Sequence, residues 1–435
     1  MVEATTIRKF LPTHLLTTQN LYAALVILLL EVSAHAPAPD TLVVCPREFR
    51  PALTQWETFR RAQGHQISVI DAPSAAAQVQ TKIREVARSG KLKYVLLIGD
   101  VPGYVNRATA GGPAVPTNYL QAKINIRWGS TSTIASDGPY GDLDGDGLPE
   151  LAVGRIPADS PAELAAAVRK IIHYEKQVAN EECCRRINIV AGIGGFGAVT
   201  DALIESTAHH VIRQTVPRNY DIQPTLANPS SPHCPKPGEF ASTVRRQFSA
   251  GSLAWIYLGH GLPAELDRVP APGGTESILS VDDVPLLRRG EQAPLAVLVA
   301  CYTGAIDAKS DCLGEELLLA EEGPIAVIAA TRVTMPYGNT VLGYELLRAC
   351  FNDRPDSLGE ILRLAQRRSL SEPDKGSLRA SIDSLAKDLT PAPVDLPAER
   401  REHVLMYQLL GDPLLRLHRP AEPPATSPAQ RETAK

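Results

Sequence analysis

Short runs rich in Val, Ile and Leu alternate along the chain with longer segments in which apolar residues return every three or four positions. The runs read as strands buried in a sheet and the longer segments as amphipathic helices. Thr41 to Cys45 predicts a strand, Arg50 to Gln63 a helix ended by Gly64, and Gln66 to Ile70 a second strand. Val79, Ile83, Val86 and Ala87 share one helical face with Gly90 as the stop, and Tyr94 to Ile98 is a third strand. This β-α-β-α-β order predicts a parallel sheet covered by helices. Val101 to Pro149, with proline and glycine throughout, predicts a long irregular connection, and loops of that length are uncommon without a role. Leu151 to Val153 resumes the sheet. In the helix that follows, Ser160 is the cap, Pro161 the first residue and Glu163 the end of a capping box. Leu164, Val168, Ile171 and Ile172 form its buried stripe.

A second alternating series follows a hinge at Asn180 to Arg186. It predicts a strand over Ile187 to Ala191, a helix over Val199 to Arg213, and a loop over Gln223 to Gly238. Strands are then expected at Leu253 to Leu258, Leu295 to Ala300 and Ile325 to Ala330. Helices are expected at Cys312 to Glu321, Thr340 to Phe351 and Leu358 to Arg368. Pro391 to Pro397 reads as a loop, and Ala398 to Leu410 as a last helix ended at Gly411-Asp412-Pro413. The expected fold class is α/β, with two subdomains, 41–185 and 186–420, each built on a mostly parallel sheet flanked by helices. Residues 421–435 lack apolar periodicity and read as a disordered tail.

The chain of 435 residues is long enough for two cores of ordinary size. A net charge of −4 offers no electrostatic footprint for nucleic acid, so none is expected as a partner. Near the start, Arg8, Lys9 and His14 precede the apolar run Leu21 to Leu30 and then Ser33-Ala34-His35-Ala36, the order of a secretory signal. Export to the periplasm, the cell surface or the medium is the expectation. Glu31 and Pro37 stand against it, and the alternative is a cytoplasmic protein whose residues 1–40 are a disordered leader. The run is too short for a stable membrane span. The seven cysteines include no CxxC pair, which argues against structural zinc. With Cys301 set aside, the pairing of the other six stays open.

Two strand ends carry the candidate chemistry. Gly259-His260-Gly261 follows one apolar run at once, and Cys301 stands at the end of another, with Gly304 shortly after it. The carboxyl ends of strands in open α/β sheets are where ligands bind. Taken singly, His260 reads as a polar loop residue and Cys301 as a small core filler. Together they offer a thiolate to attack a carbonyl and an imidazole to protonate the leaving amine. The backbone N–H groups of Gly261 and Cys301 are the candidates for binding the oxyanion.

Gly259-His260-Gly261 with Ala300-Cys301 resembles the signature of clan CD cysteine peptidases, and within that clan the chain is most similar to the gingipain family. The likeness extends in the first half to Leu96 through Asp100, Pro116-Thr117, the run Tyr140 to Arg155, and Ile172 through Lys176. In the second half it takes in Tyr257 to Gly261, Val299 to Gly304, Cys312 to Leu317 and Leu410 to Pro413. The resemblance implies a caspase-like catalytic half behind a smaller α/β half. It implies a cysteine endopeptidase that acts on protein or peptide substrates through a thioester acyl-enzyme, with no cofactor in the chemistry. Two departures bear on the site. Tyr302 to Ala305 differs from the gingipain loop. The acid that supports the family's histidine has no clean counterpart in Gly192 to Gly197, where Asp201 is nearest. Asp201, Asp267 and Asp307 are candidates for lining a pocket that takes a basic residue, and each fits a surface or capping role equally well. A non-catalytic, caspase-like scaffold that binds peptide or a partner protein is the rival reading.

Gly192-Ile193-Gly194-Gly195-Phe196-Gly197 matches the dinucleotide pattern GxGxxG between a strand and a helix, which leaves a nucleotide-dependent oxidoreductase as a distant third reading. The acid expected about twenty residues on is missing, and the loop reads better as part of an active site. Asp142, Asp144 and Asp146, with Gly147 in sixth place and Glu150 beyond, resemble the start of a calcium loop. Val153 holds the twelfth place where that loop has Glu, so the stretch fits either a structural Ca2+ site or an acidic turn. His209-His210 has no ligand partners at metal spacing, and the Walker, HExxH and GxSxG patterns are absent.

Overall fold

The structure, a computed structural model, describes residues 38–102, 114–195, 197–389 and 395–420. The expected leader up to residue 37, the tail from 421, and loop residues 103–113, 196 and 390–394 lie outside the described residues. The strands are β1 (Thr41–Val44), β2 (Ile67–Ile70), β3 (Tyr94–Ile98), β4 (Asn118–Gln121), β5 (Thr133–Ser136), β6 (Ala152–Ile156) and β7 (Arg186–Ala191). They continue with β8 (Asp221–Leu226), β9 (Ala254–Leu258), β10 (Arg268–Ala271), β11 (Gly274–Ser277), β12 (Leu295–Val299), β13 (Ala326–Ala330) and β14 (Tyr407–Leu410). The helices are α1 (Arg50–Ala62), α2 (Ala76–Ala87), α3 (Pro161–Lys176), α4 (Glu181–Arg185), α5 (Ala198–Thr215) and α6 (Phe240–Ala250). Later come α7 (Leu313–Leu319), α8 (Pro336–Arg348), α9 (Leu358–Leu370), α10 (Leu378–Leu389) and α11 (Leu396–Met406).

Ten strands make one sheet, in the order β2-β1-β3-β6-β14-β13-β12-β9-β7-β8. Its first four strands come from the first predicted series and the rest from the second, so the two series share a sheet. β14 is the join. It runs parallel to β6 through Leu410 and Arg155, and antiparallel to β13. Every other neighbouring pair in this sheet is parallel. Five strands therefore point one way and five the other.

Both faces of the sheet are covered. Along β12, Leu295 and Val297 pack into one core with Trp56 and Ile328, while Ala296 and Leu298 pack into another with Trp255, Phe248 and Leu317. β1 divides likewise, with Val43 in the first core and Leu42 and Val44 in a third beside Val79 and Ile83. A strand buried on both faces needs apolar residues at successive positions, which is why these runs are unbroken. Each Leu or Val so buried contributes about 1.5–3 kcal/mol over its exposed state.

The join differs from expectation. The helix predicted through Leu410 ends at Met406, and Tyr407–Leu410 is a strand. Val404 to Leu410 is apolar at nearly every place and suits either period. The facing edges of β6 and β13, whose backbone donors and acceptors need partners, favour the strand. β8 occupies the start of the predicted loop at Gln223, and its Pro224 is tolerated because β8 is an edge strand. The hairpins β4–β5 and β10–β11 and the helices α6 and α10 lie where no element was predicted.

The β4–β5 hairpin, in the expected irregular connection, reaches the loop after β13. Thr331 donates its hydroxyl to the Ala135 carbonyl at 2.8 Å, and Arg332 Nε donates to the Thr133 carbonyl at 2.6 Å. Buried ion pairs hold the rest of the seam. Arg155 forks onto Asp137 at 2.7 and 2.8 Å and donates to the Gly99 and Val115 carbonyls, both at 2.9 Å. Asp412, just after β14, accepts from Arg60 at 2.7 Å and from the Trp56 indole, and Glu175 pairs with Arg60 at 2.8 Å. Among the described residues no helix is long and apolar enough to cross a membrane.

Candidate active site

β9 and β12 are adjacent and parallel, with Leu258 opposite Val299. Gly259 donates its N–H to the Val299 carbonyl at 3.3 Å, which carries the pairing one residue past β9. His260 and Cys301 each stand two residues beyond this last pair, so the topology delivers both to one edge of the sheet. Gly261 lies flat on the cysteine turn. A Cβ there would stand 2.8 Å from the Cys301 carbonyl oxygen and 2.8 Å from Thr303 Cγ2, so only glycine fits. The His260 ring rests on the glycine-rich loop, its Nε2 3.0 Å from where a Gly195 Cβ would be.

Asp267, at the foot of β10, ties these loops together. One oxygen accepts the backbone N–H of His260 at 3.1 Å and that of Ile193 at 3.0 Å. The Tyr257 hydroxyl lies 3.0 Å from the same oxygen and 2.8 Å from the His260 carbonyl, and accepts the Asp267 N–H at 3.2 Å. Burial, with the Asp267 charge second, holds the Tyr257 phenol well above its usual range, so it stays protonated. A Gly192 Cβ would fall 2.0 Å from the Asp267 oxygen, which accounts for the glycine there. Asp267 is thus a carboxylate engaged with backbone and a phenol.

The other two candidate acids separate. Asp307 is taken by Arg332 in a bidentate pair at 2.6 and 2.8 Å, with both side chains less than a tenth exposed. Its carboxylate neutralises a buried guanidinium from the loop after β13. Asp201, in the first turn of α5, accepts the Gly195 N–H at 3.2 Å and remains beside the His260 loop. The backbone donors that a pyrophosphate would need in this GxGxxG loop thus already face two carboxylates, Asp267 at Ile193 and Asp201 at Gly195. The loop lies against the His260 ring and is not built for a dinucleotide.

Cys301 is partly exposed, and Thr334 borders its sulfur. The Thr334 N–H donates to Sγ at 3.3 Å, and the Thr334 hydroxyl and carbonyl oxygens lie 3.7 and 3.8 Å away. Tyr302 follows with a φ of +59°, a left-handed conformation that costs a non-glycine residue about 1–2 kcal/mol. The turn is held by Tyr302 N–H on the Arg332 carbonyl at 3.2 Å and Gly304 N–H on the Ala330 carbonyl at 2.9 Å. All seven cysteines are free thiols. Burial pushes Cys45 up to about 12 and Cys184 and Cys350 up to about 11, so these three are inert near neutrality.

The acidic turn lies apart from these loops in sequence. Carboxylate oxygens of Asp142, Asp144 and Asp146 come within 4.8 Å of one another, while the Asp142 oxygens accept the N–H groups of Gly145 at 2.7 Å and Gly147 at 3.0 Å. Such convergence suits a hard cation. Glu150 is engaged elsewhere, accepting from Leu143 N–H at 2.9 Å and pairing with Arg367 at 2.8 Å. A second convergence, Asp100 with Asp311 and Glu315, was not anticipated; Glu315 also takes the Cys312 N–H at 2.8 Å, the capping role its place at the start of α7 suggests.

Known proteins share the family and the fold. The family model for peptidase family C25 matches residues 34–418. The chain belongs to this family. Gingipain R2 of Porphyromonas gingivalis is 25% identical over 305 residues, which are 67% of this chain and 36% of the relative. Lys-gingipain of the same organism is 20% identical over 302 residues, 67% of this chain and 15% of the relative. The chain therefore spans little more than a third of the first of these curated relatives. Among solved structures, the Arg-specific cysteine proteinase gingipain R aligns with a TM-score of 0.63 at 19% identity, over 88% of this chain and 78% of that one. Another, described only as a protease, aligns with a TM-score of 0.64 at 16% identity, over 90% and 82%. At these identities the structural likeness is one of fold.

Within this C25 member, several motifs behind the gingipain resemblance are structural. Arg155, Glu175 and Asp412 hold the seam through buried ion pairs. Thr334, Arg332 and Tyr257 were missed as site residues. Nothing local marks Thr334 and Arg332, because their partners come from other segments; Tyr257 stands three residues before His260, in the stretch that carries the resemblance.

Proposed function

We propose that this C25 member is a cysteine endopeptidase in which Cys301 is the nucleophile and His260 the general acid and base. His260 takes the Cys301 proton, and the thiolate attacks the scissile carbonyl. The backbone N–H groups of Gly261 and Cys301 receive the oxyanion. His260 returns the proton to the leaving amine, and water, deprotonated by His260, hydrolyses the thioester. The observation that carries this reading is the β9–β12 register, with Gly261 seated on the Cys301 carbonyl. Asp201 is the acid retained for a basic substrate side chain.

The same reading takes residues 186–420 as the caspase-like catalytic half and 41–185 as the smaller half. Asp142, Asp144 and Asp146 hold a structural Ca2+ in it, without Glu150. Export follows from the leader pattern. Cys301→Ala in purified, folded protein is expected to lower kcat/KM for peptide hydrolysis by roughly a thousandfold or more. Unchanged hydrolysis in that variant would remove Cys301 from the mechanism.

A further inference from the structure

We propose that Tyr407, Asn339 and Thr334 form a directed hydrogen-bond chain that ends on the Cys301 sulfur and favours its thiolate. The inference rests on Cys301 being the nucleophile. Tyr407 is the first residue of β14, Asn339 lies in the first turn of α8, and Thr334 follows β13. Burial first, and then the Cys301 charge, hold the Tyr407 phenol far above its usual range. Its hydroxyl therefore stays protonated and donates to Asn339 Oδ1 at 2.8 Å. That bond orients the amide, whose Nδ2 donates to Thr334 Oγ1 at 3.0 Å. With one lone pair so occupied, the Thr334 hydroxyl proton has two acceptors within reach, the Tyr407 phenol oxygen and Cys301 Sγ at 3.7 Å, and a thiolate draws it by its charge. The Thr334 backbone N–H, at 3.3 Å, is a second donor to the same sulfur.

The two protonation states of the thiol meet this residue differently. A neutral S–H donates to the Thr334 carbonyl at 3.8 Å. Once His260 has taken the proton, the two donors remain and face a negative sulfur, and donors to the charged form favour it. They are also prepositioned. Met335 N–H donates to His403 Nε2 at 2.9 Å, His403 Nδ1 lies 2.8 Å from the Glu399 carbonyl, and Asn125 Nδ2 donates to the Val333 carbonyl. Thr334 thus sits between two anchored neighbours and needs no rearrangement when charge develops. Thr334, Asn339 and Tyr407 are positioning residues. Titratable groups that face this turn include Tyr257 from the β9 side, on which the Cys301 charge acts, Tyr302 next in sequence, and the Arg332–Asp307 pair just before Thr334.

The test is the pH dependence of iodoacetamide alkylation, read at the Cys301 peptide by mass spectrometry, in the wild-type chain and in Thr334→Val, Thr334→Ser and Tyr407→Phe. Circular dichroism confirms that each variant is folded. Thr334→Val keeps the shape and removes the hydroxyl, and its alkylation midpoint is expected to rise by about one pH unit, a tenfold smaller thiolate fraction below the midpoint. Thr334→Ser is expected to restore the wild-type midpoint, and Tyr407→Phe to raise it by less than Thr334→Val does. A folded Thr334→Val with the wild-type midpoint overturns the chain while leaving peptide hydrolysis by the wild type intact. A wild-type Cys301 that alkylates like an ordinary thiol and hydrolyses no peptide overturns the nucleophile itself, and this inference with it.

Discussion

A single carboxylate oxygen that accepts two backbone N–H groups fixes a loop through contacts that an amide of the same shape only partly replaces. Asp267 is that group for His260. Its oxygen joins the turn after β9 to the glycine-rich loop after β7, with Tyr257 buttressing both. Asp267→Asn preserves volume but removes the charge, and it puts an amide donor in competition with those N–H groups. The expected result in steady-state kinetics is a fall in kcat/KM of about ten- to a hundredfold, roughly 1.4–3 kcal/mol, carried mainly by kcat because the histidine is misplaced while the substrate cleft is not. An unchanged kcat/KM would mean that the loop holds its shape without the carboxylate. His260 and Cys301 were legible because each marks a strand end with its own local signal. Asp267 and Asp307 were legible only as acids. Their roles depend on Tyr257, Ile193 and Arg332, which other segments supply.

Among the elements, α11 has an unusual task. Its buried polar residues face inward and hold backbone from two other segments. Glu402 accepts the N–H groups of Ile124 and Asn125, both at 2.9 Å, Glu399 accepts that of Gly338 at 3.1 Å, and His403 accepts that of Met335 at 2.9 Å. Burial sets two of these side chains against each other. It pushes Glu399 up to about 7, and the Glu402 charge adds to this, while it pushes His403 down to about 4. Between about pH 4.5 and 6.5 the folded Glu399 holds a proton that the unfolded chain releases, so its contribution falls as pH rises. Over the same window folded His403 lacks a proton that the unfolded chain binds, so its contribution grows as pH rises. The two slopes oppose each other. Glu399→Gln removes one of them, and its stability is expected to climb with pH across that window by up to about 1.4 kcal/mol per unit more than the wild type's. Thermal melts at several pH values read the difference, and parallel curves for the two proteins would contradict it. The last turn of this helix, from Val404, and β14 after it form a nearly continuous apolar stretch whose period suits both states. Where one ends and the other begins follows from the strands on either side, and a local pattern carries no record of them.

For the molecule as a whole, the alternation of strands and helices was readable because a sheet buried on both faces demands apolar runs. The single ten-stranded sheet was not, because its continuity depends on four residues, Tyr407–Leu410, pairing with strands far earlier in the chain. The buried ions behave the same way. Arg60 and Asp412 lie 352 positions apart, and neither announces the other. The consequence for function is that the hairpin from the first half and the chain entering β14 both hold the loop Thr331 to Met335 that borders Cys301. A candidate site assembled from several segments belongs to the intact fold.

The central claim is that Cys301 is the activated nucleophile of that edge. The most direct measurement is labelling of the intact protein, with calcium supplied, by a library of peptidyl chloromethyl and acyloxymethyl ketones, followed by mass mapping of the modified residue. The expected result is modification at Cys301, lost in His260→Ala, with the preferred peptide reporting what the cleft accepts. Folded protein that takes no label at Cys301, or takes it equally well without His260, would contradict the account.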